Sequence, residues 1–363
     1  MNRREFIKTS IAGGVAGSAF SETASAKISP EYEWRMATSW PEGLVGPGTG
    51  AEFLARTIEQ VSGGRIKISV YSAGKLCAPS EIFDAVGKGS IEMGHSGPIL
   101  WTKKHPACQF FTSVPFGLNA HELITWFEFG DGQQLWDELY AGFNLKPFAV
   151  GNTGVQMGGW YNKEIITVND FNELKIRMPG MGGDVISKFG AEIINLPAGE
   201  IVSALKQGKI DAAEWAGPFH DKGLGLHEAA RYYYWPGWHE PGSVIDCFIN
   251  NKIYDGLPKD LQDIIKIASR VSYHHMWSES TANNGFSLLE LLIRHKIELK
   301  RFSDQTLAKL ARMSRSIIEE IGSKDTLSKK IYRSWSLFRK QAIGWTQLSE
   351  EAFNLARSFT EKY

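Results

Sequence analysis

Two segments of the chain share a pattern that decides the fold class. Residues 81–96 read EIFDAVGKGSIEMGHS, and residues 200–215 read EIVSALKQGKIDAAEW. Six positions match at one offset of 119 residues: the Glu-Ile pair, an alanine, a glycine, an isoleucine and an acidic residue. Each copy predicts a helix of about two turns, a glycine that ends it and a short strand. The repetition predicts two lobes that carry the same α/β unit.

Length and composition agree with a two-lobed globular protein. The 363 residues exceed the size of one compact domain, and 43% of them are hydrophobic. Basic and acidic residues number 40 each, so no overall positive field attracts nucleic acid or an anionic membrane. The three cysteines follow no C-x-x-C spacing, which argues against a disulfide framework or a zinc site and leaves room for one bridge.

The N-terminus carries features of an export address. Arg3 and Arg4 precede a Gly- and Ala-rich run from Ile11 to Phe20, and Ala24-Ser25-Ala26 has the small-x-small pattern of a cleavage site. This arrangement resembles a twin-arginine export signal. A membrane anchor needs about 20 apolar residues, and the run has half that length. We therefore predict a signal peptide over residues 1–26 and a mature protein in the periplasm.

The rest of the chain predicts two lobes joined by crossing strands. The first lobe opens with a strand, a helix and a second strand at residues 34–38, 51–61 and 66–71. We predict that it spans residues 27–150 and is completed by a return strand within residues 242–257. The second lobe then spans residues 151–241. More than one crossover makes a hinge suited to closure around a ligand.

Residues 258–363 are predicted to form a helical C-terminal region. Helical periodicity runs over residues 259–298, 305–321 and 327–363, and a kink or break is expected at Asn283-Asn284-Gly285. The first helix, if straight, is ~60 Å long. It needs the backs of both lobes or a second subunit to bury its apolar stripe. The predicted fold class is α/β: a bilobal periplasmic-binding-protein-like fold with crossing hinge strands and a helical C-terminal region.

Motifs for organic cofactors and catalysis are incomplete. Residues 46–51 satisfy G-x-G-x-x-[GA], but no acidic residue ends the next strand at residues 70–72, and Pro47 removes a backbone donor. Residues 94–98 resemble G-x-S-x-G but end in proline. We therefore predict no organic cofactor and no enzyme. The competing hypothesis is a periplasmic hydrolase or lyase that uses His95 or His239 with Glu240 as acid and base.

Arg177 is the predicted anchor for an anionic ligand. Residues 173–180 read ELKIRMPG, a strand that ends at Arg177 before a turn. Strand ends face the cleft in open α/β sheets. A guanidinium there holds a carboxylate through two parallel hydrogen bonds and keeps its charge. The alternative is an ion pair between the lobes.

Four residues at the same rim suggest a cation site. The second copy of the repeat delivers Glu214 and Trp215, and Gln156 and Glu240 lie in turns flanked by Gly or Pro. Two carboxylates, an amide oxygen and a backbone carbonyl suit a hard cation such as sodium or calcium. Their convergence is a hypothesis from sequence alone.

Several of these stretches carry a family resemblance. LKIRMP (174–179), PAGEI (197–201) and ALKQGKIDAAEW (204–215) resemble the substrate-binding subunits of tripartite ATP-independent periplasmic (TRAP) transporters. The resemblance covers nearly the whole mature chain. NTGVQ (152–156) and WHEPG (238–242), together with Glu214-Trp215, resemble the branch that binds 2-oxo or 2-hydroxy monocarboxylates with a metal ion.

The resemblance implies roles for individual residues. Arg177 takes the ligand carboxylate, and the cation is held by Gln156, Glu214, Glu240 and the Trp215 carbonyl. We expect the guanidinium and the cation pocket to face each other across the cleft. The ligand site is further expected to include Asn152, Gln156, Trp215 and Trp101.

The implied partners are a small organic-acid anion and the TRAP membrane subunits, and some members pair as dimers through a swapped helix. A different carboxylate, such as a sugar acid or a compatible solute, is the alternative ligand.

Overall fold

The computed structural model describes residues 29–360, so the predicted signal peptide lies outside the described residues. The strands are β1 (Tyr32–Thr38), β2 (Ile66–Tyr71), β3 (Met93–Ser96), β4 (Leu145–Asn152), β5 (Gly159–Tyr161), β6 (Lys175–Arg177), β7 (Glu192–Ile193), β8 (Ala212–Ala213), β9 (Tyr232–Trp235), β10 (Val244–Asn250) and β11 (Glu298–Arg301). The helices are α1 (Pro47–Val61), α2 (Ile82–Gly87), α3 (Ala120–Phe129), α4 (Gly132–Ala141), α5 (Gly180–Ser187), α6 (Ala198–Lys206), α7 (Pro218–Leu224), α8 (Asn251–Asp255), α9 (Lys259–Ile293), α10 (Asp304–Ser323), α11 (Thr326–Leu348) and α12 (Glu350–Arg357).

The strands form two separate sheets, and the predicted α/β fold is confirmed. One sheet has the order β2-β1-β3-β10-β4, and we call it and the helices around it the first lobe. The other has the order β11-β9-β5-β8-β6-β7 and forms the second lobe. In each sheet, the parallel strands β1 and β3, or β6 and β8, lie side by side at its centre. Their carboxyl ends therefore meet at one edge, which is where ligands bind in such sheets.

The internal repeat is present in both lobes. α2 is followed by Gly89 (φ 76°) and β3, and α6 is followed by Gly208 (φ 67°) and β8. Both glycines have the left-handed conformation that ends a helix at low steric cost.

The acidic residue of each copy has the same structural role. Glu92 Oε2 accepts a hydrogen bond from the backbone N–H of Arg35 at 2.8 Å. Asp211 Oδ2 accepts one from the backbone N–H of Lys175 at 2.9 Å. In both lobes the carboxylate binds the neighbouring parallel strand, which explains why the pattern requires an acid before the strand.

Two connecting segments cross between the lobes and run side by side. Residues 153–158 lead from β4 to β5, and residues 236–243 lead from β9 to β10, the predicted return strand. Thr153 N–H donates to the Ser243 carbonyl at 3.0 Å, and Gln156 N–H donates to the Glu240 carbonyl at 3.2 Å. These bonds hold Gln156 and Glu240 next to each other at the hinge.

The long helix α9 contributes to the cores of both lobes. Its first half buries Leu261 and Met276 in the core of the first lobe, and Leu291 near its end lies in the core of the second. The predicted break at residues 283–285 is wrong, because α9 continues through them. Asn284 Oδ1 instead accepts the Phe219 N–H of α7 at 3.0 Å, so the polar pair serves a tertiary contact.

The C-terminal region is not wholly helical, which corrects the prediction for residues 258–363. Lys296 has a φ of 55°, a left-handed conformation that ends the helical path after α9. β11 follows and pairs in parallel with β9 at the edge of the second sheet.

At the other end of the chain, α1 begins at Pro47 rather than residue 51, because proline is favoured in the first turn.

Of the remaining helices, α10 packs on α11 and on α5 of the second lobe, and α11 packs on α3 and α4 of the first lobe. Among the helices of residues 29–360, none combines the length and apolar character needed to cross a membrane. Cys77, Cys108 and Cys247 are free thiols in this part of the chain, and the last two are buried.

Candidate functional site

A cavity of about 60 Å³ lies between the lobes, at the carboxyl ends of the central strands. One wall comes from the first lobe and is almost entirely apolar: Trp40, Pro47, Gly97, Ile99, Leu100, Val244 and Ile245. The other wall comes from the second lobe and the crossing segments and carries the ionisable groups: Arg177, Glu214, His220 and Glu240.

Arg177 and Glu214 are held together by the second sheet. Arg177 ends β6 and pairs with Ala213 of β8, which places Glu214 next to it. The guanidinium Nη1 donates to the Glu214 carbonyl at 2.7 Å and lies 3.4 Å from its Oε2. Both side chains are buried, with residue exposures of 8% and 1%. Within residues 29–360, only Nη1 of this guanidinium is hydrogen-bonded, so Nε and Nη2 remain available to a ligand.

Gln156 and Glu240 meet on the two crossing segments. The Gln156 amide nitrogen donates to Glu240 Oε2 at 2.9 Å and to Thr153 Oγ1 at 3.0 Å. This leaves the amide oxygen, Oε1, as a buried acceptor with no donor in the described part of the chain. Both side chains line the cavity beside Glu214.

The unpartnered oxygens fit a cation. Glu214, His239 and Glu240 each offer a ligand atom, and these atoms lie within 4.8 Å of one another. No described residue donates to Glu214 Oε1 or Gln156 Oε1. A buried oxygen without a donor is costly, and a cation satisfies several at once. The His239 imidazole lies beside these oxygens, with its Nε2 3.5 Å from Glu214 Oε1.

Burial shifts the pKa of every ionisable group in the cluster toward its neutral form. Burial raises the pKa of Glu214 to about 7, although nearby Arg177 lowers it. Burial and the charge of Glu214 raise the pKa of Glu240 to about 7. Burial lowers the pKa of His239 to about 4 and that of His220 to about 4, so both imidazoles are neutral at pH 7. The site therefore contains two carboxyl groups that need a positive partner to ionise.

Trp215 lines the cavity, whereas two other predicted ligand residues do not. The Arg177 guanidinium carbon lies 5.3 Å from the Trp215 ring. Trp101 is only 1% exposed and packs in the first-lobe core, 5.0 Å from Phe83. The prediction for Trp101 is wrong, because the short 3₁₀ helix Pro98–Trp101 turns its last residue inward.

Asn152 supports the crossing segment instead of lining the cavity. Its Oδ1 accepts the Gly154 N–H at 2.8 Å, which holds the turn where Gly154 has a φ of 72°. Asn152 is not among the residues that line the cavity, and its Nδ2 is buried without a hydrogen-bond partner in the described part of the chain. Its place in the ligand site therefore stays a prediction.

The relation between the arginine and the cation pocket also differs from expectation. We expected them to face each other across the cleft, yet Arg177 and Glu214 lie on neighbouring strands of one sheet. Gln156 and Glu240 belong to the hinge between the lobes. The polar part of the site therefore sits on one side, and the first lobe covers it with apolar groups.

His220 and Trp40 border the cavity without having been singled out as site residues. His220 Nε2 lies 3.3 Å from Ser280 Oγ of α9, and its ring fills the space where a side chain at Gly46 would collide. A lone histidine and a tryptophan after a strand have no diagnostic spacing, so only the folded chain reveals their place.

Comparisons with known proteins identify relatives over most of the chain. A family model described as bacterial extracellular solute-binding protein, family 7, matches residues 37–325. A monocarboxylate 2-oxoacid-binding periplasmic protein of Nostoc sp. is 40% identical over 364 residues, covering 99% of this chain and 100% of the relative.

Solved structures of solute-binding proteins are similar to this chain over most of its length. A TRAP periplasmic solute-binding protein from Pseudoalteromonas atlantica with bound sodium and pyruvate has a TM-score of 0.85 and 37% identity, covering 89% of this chain and 98% of that one. A protein from Colwellia psychrerythraea with bound calcium and pyruvate has a TM-score of 0.86, 37% identity and the same coverage. A TRAP transporter solute-binding protein from Bordetella bronchiseptica, a dimer with calcium and picolinate, has a TM-score of 0.89 and 34% identity, covering 92% and 99%.

The raised carboxyl pKa values predict how stability depends on pH without a cation. A carboxyl with a folded pKa of about 7 and an ordinary value of 4.5 stabilises the fold below pH 4.5, and this contribution is lost as the pH rises through 7. With EDTA in a sodium-free buffer, we expect the free energy of unfolding to fall between about pH 5 and about pH 8, by on the order of 3 kcal/mol per carboxyl. Chemical denaturation at several pH values measures it.

The control is the double variant Glu214→Gln, Glu240→Gln. Burial also raises the pKa of Asp221 and Asp246 to about 7, and these groups titrate in both proteins. The difference between the two proteins therefore isolates the cavity carboxyls. Parallel pH profiles for the two proteins contradict the prediction.

Proposed function

This chain belongs to family 7 of the bacterial extracellular solute-binding proteins, and on that premise we propose that its cavity captures a 2-oxo or 2-hydroxy monocarboxylate with a cation. Proteins of this family carry solutes and catalyse no reaction. The chain then delivers the acid to the membrane subunits of a TRAP transporter. The observation that carries the proposal is the buried guanidinium with free N–H groups beside two carboxyls and an unpartnered amide oxygen.

In the proposed complex, Arg177 binds the ligand carboxylate. Its Nε and Nη2 are free to make the paired hydrogen bonds that a planar carboxylate accepts. The Trp215 ring lies against the guanidinium and limits its movement. Ile99, Leu100 and Val244 of the first lobe face the same space, which suits the short apolar end of a pyruvate- or lactate-like acid.

The cation is proposed to be sodium or calcium, held by Gln156 Oε1, the carboxylates of Glu214 and Glu240, and the Trp215 carbonyl. Oxygen donors of this kind are those that hard cations prefer. Relatives with 37% identity contain sodium or calcium together with pyruvate. When bound, the cation supplies positive charge that the two carboxylates and the acid share.

The charges of the site explain why acid and cation bind together. Arg177 contributes one positive charge, and ionised Glu214 and Glu240 contribute two negative charges, which leaves a net charge of −1. An anionic acid bound without a cation makes the net charge of the buried site −2. Uncompensated buried charge is strongly unfavourable. A cation removes one or two of these negative charges. Binding of each therefore favours binding of the other.

The relatives argue for a small acid as the ligand. The 40% identical relative is a 2-oxoacid-binding protein, and relatives with 37% identity contain pyruvate. The alternative of a hydrolase that uses His95 as acid or base has no support, because His95 Nδ1 accepts a hydrogen bond from Trp40 Nε1. The ligand proposal therefore stays with small acids.

We also propose the domain division given by the sequence. The first lobe spans residues 27–150 with 242–257, the second spans 151–241, and residues 258–363 follow as a C-terminal region. The pairing of β11 with β9 supports a small extension of the second lobe into that region.

A homodimer is proposed from the exposed apolar side chains of the C-terminal region. On α9, Phe286, Leu289 and Ile293 recur on one face and are 77%, 57% and 73% exposed. α12 buries none of its residues. Monomers rarely expose contiguous apolar patches of this kind without a partner. The dimeric relative from Bordetella supports a second copy as that partner.

The central test is binding of acids with and without a cation. We expect pyruvate or lactate at 100 times Kd, in calcium or sodium, to add about 2.7 kcal/mol of stability in thermal unfolding. EDTA in a sodium-free buffer should abolish this gain, because the acid then brings uncompensated charge into the site. Equal binding with and without the cation overturns the cation proposal, and no binding of any small acid overturns the function.

Substitution of Arg177 tests its role. Arg177→Lys keeps the charge but removes the planar pair of donors, so we expect acid affinity to fall at least about tenfold. Isothermal titration calorimetry in excess calcium measures it. The matched control is Arg56→Lys on the surface of α1, where the side chain is 60% exposed and affinity should not change. Unchanged affinity in Arg177→Lys removes this residue from the ligand site.

Export by the twin-arginine route is proposed from residues 1–26 and is tested by the double variant Arg3→Lys, Arg4→Lys. We expect the protein to remain in the cytoplasm with its signal uncleaved, because the paired arginines are the address that the route reads. Cell fractionation and immunoblotting measure the location. Normal periplasmic accumulation of the variant contradicts the route.

The dimer is tested by sedimentation velocity of the mature protein. We expect a dimer at micromolar concentration and a monomer for Phe286→Glu with Ile293→Glu, because two charges then lie in the proposed interface. Val61→Glu is the control, since Val61 is 52% exposed at the end of α1 in the first lobe. A monomeric wild-type protein contradicts the proposal.

A further inference from the structure

Two tryptophans meet across the cavity from opposite lobes. Trp40 follows β1 in the first lobe, and Trp215 follows β8 in the second. Their rings are 6.5 Å apart and inclined at 78°, the edge-to-face arrangement that aromatic pairs prefer. Both rings line the cavity. This pair is an oriented aromatic contact between the lobes beside the ligand space.

His95 fixes the orientation of Trp40. The Trp40 indole N–H donates to His95 Nδ1 at 2.8 Å, and both residues are buried. Because Nδ1 accepts this bond, the neutral imidazole carries its proton on Nε2. Burial lowers the pKa of His95 to about 3, so Nδ1 remains an acceptor at every physiological pH.

The repeat gives this histidine a counterpart. His95 lies 119 residues before Glu214 and occupies the matching place after the helix and glycine of the first copy. In the second lobe this position supplies a carboxylate to the cation cluster. In the first lobe it holds an aromatic side chain over the same cavity. The two copies thus place different chemistry at one structural position.

The contact between Trp40 and Trp215 extends to Arg177, the proposed binding residue for the acid. The Arg177 guanidinium lies 5.3 Å from the face of Trp215, which in turn contacts Trp40. The acid and the cation have their charged partners on the second lobe and the hinge, so they dock there first when the lobes are apart. Closure then brings Trp40 against Trp215 and covers Arg177.

We propose that Trp40 and Trp215 form an interlobe clasp that sets how long the acid stays bound, with His95 as the positioning residue that orients Trp40. The inference rests on the proposed function, because it assigns the clasp to the same ligand site. It separates two tasks: the second lobe recognises charge, and the aromatic pair holds the closed state. Loss of the clasp should speed release and leave docking of the cation unchanged.

The first test is the variant Trp40→Leu in saturating calcium with pyruvate. We expect the dissociation rate of the acid to rise about tenfold, since an edge-to-face pair and its buried area are lost, while the association rate changes less than about threefold. Calcium affinity without acid should stay at the wild-type value. Stopped-flow displacement and calorimetry measure these quantities. Trp34→Leu is the matched control, because Trp34 is a buried tryptophan on β1 that does not border the cavity.

The second test separates orientation from packing at His95. His95→Asn keeps an acceptor near the position of Nδ1 and should preserve the slow release. His95→Leu removes the acceptor and should release the acid as fast as Trp40→Leu. A merely structural histidine would lower the melting temperature in both variants without changing the ratio of the two rate constants.

The outcomes distinguish this inference from the function on which it rests. If the wild-type protein binds no small acid, the proposed function fails and the clasp fails with it. If the wild-type protein binds the acid and both Trp40→Leu and His95→Leu release it at the wild-type rate, only the clasp is overturned. If Trp40→Leu does not fold, Trp40→Phe replaces it. Without the indole N–H, His95 no longer orients the ring, so faster release supports the clasp and release at the wild-type rate overturns it.

Discussion

The bond from Arg177 Nη1 to the Glu214 carbonyl is the constraint on which the site depends. It ties a guanidinium to the backbone of the neighbouring strand, so the direction of its remaining donors is set by the second sheet. The same bond places the Glu214 side chain where it meets Glu240 and Gln156 from the hinge. A rigid sheet edge and a flexible hinge therefore contribute to one cluster, and its negative net charge must be offset by a cation before an anionic ligand is accommodated.

The duplicated α/β unit explains how one architecture yields two unlike walls. Both copies deliver a short strand to the cleft after a helix and a left-handed glycine. The second copy presents a carboxylate and a tryptophan, whereas the first presents His95 and Ser96, which bond to Trp40 and Ser39 of their own lobe. Burial of charge against an apolar cover keeps water from weakening the ionic contacts. Selectivity for acids thus resides mainly in one lobe.

Much of this organisation was accessible from sequence, and the exceptions share a physical cause. The repeat, the return strand, Arg177 and the cluster of Gln156, Glu214 and Glu240 have local signals: periodicity, strand ends, turn residues and family motifs. Trp101, the continuity of α9 at Asn284 and the edge strand β11 have none, because each depends on what another part of the chain offers. An aromatic side chain faces core or cleft according to a few degrees of backbone rotation, which composition does not encode.

The helix α9 has a mechanical consequence for the cleft. It spans about 52 Å by its rise per residue, and its two halves are embedded in different cores. Separating those cores must flex this rod or slide it, unlike a hinge made only of loops. Helices curve with radii of roughly 60–100 Å, so flexure over this length turns its ends by roughly 30–50°. Any separation of the two cores is thereby coupled to bending or sliding of a single helix.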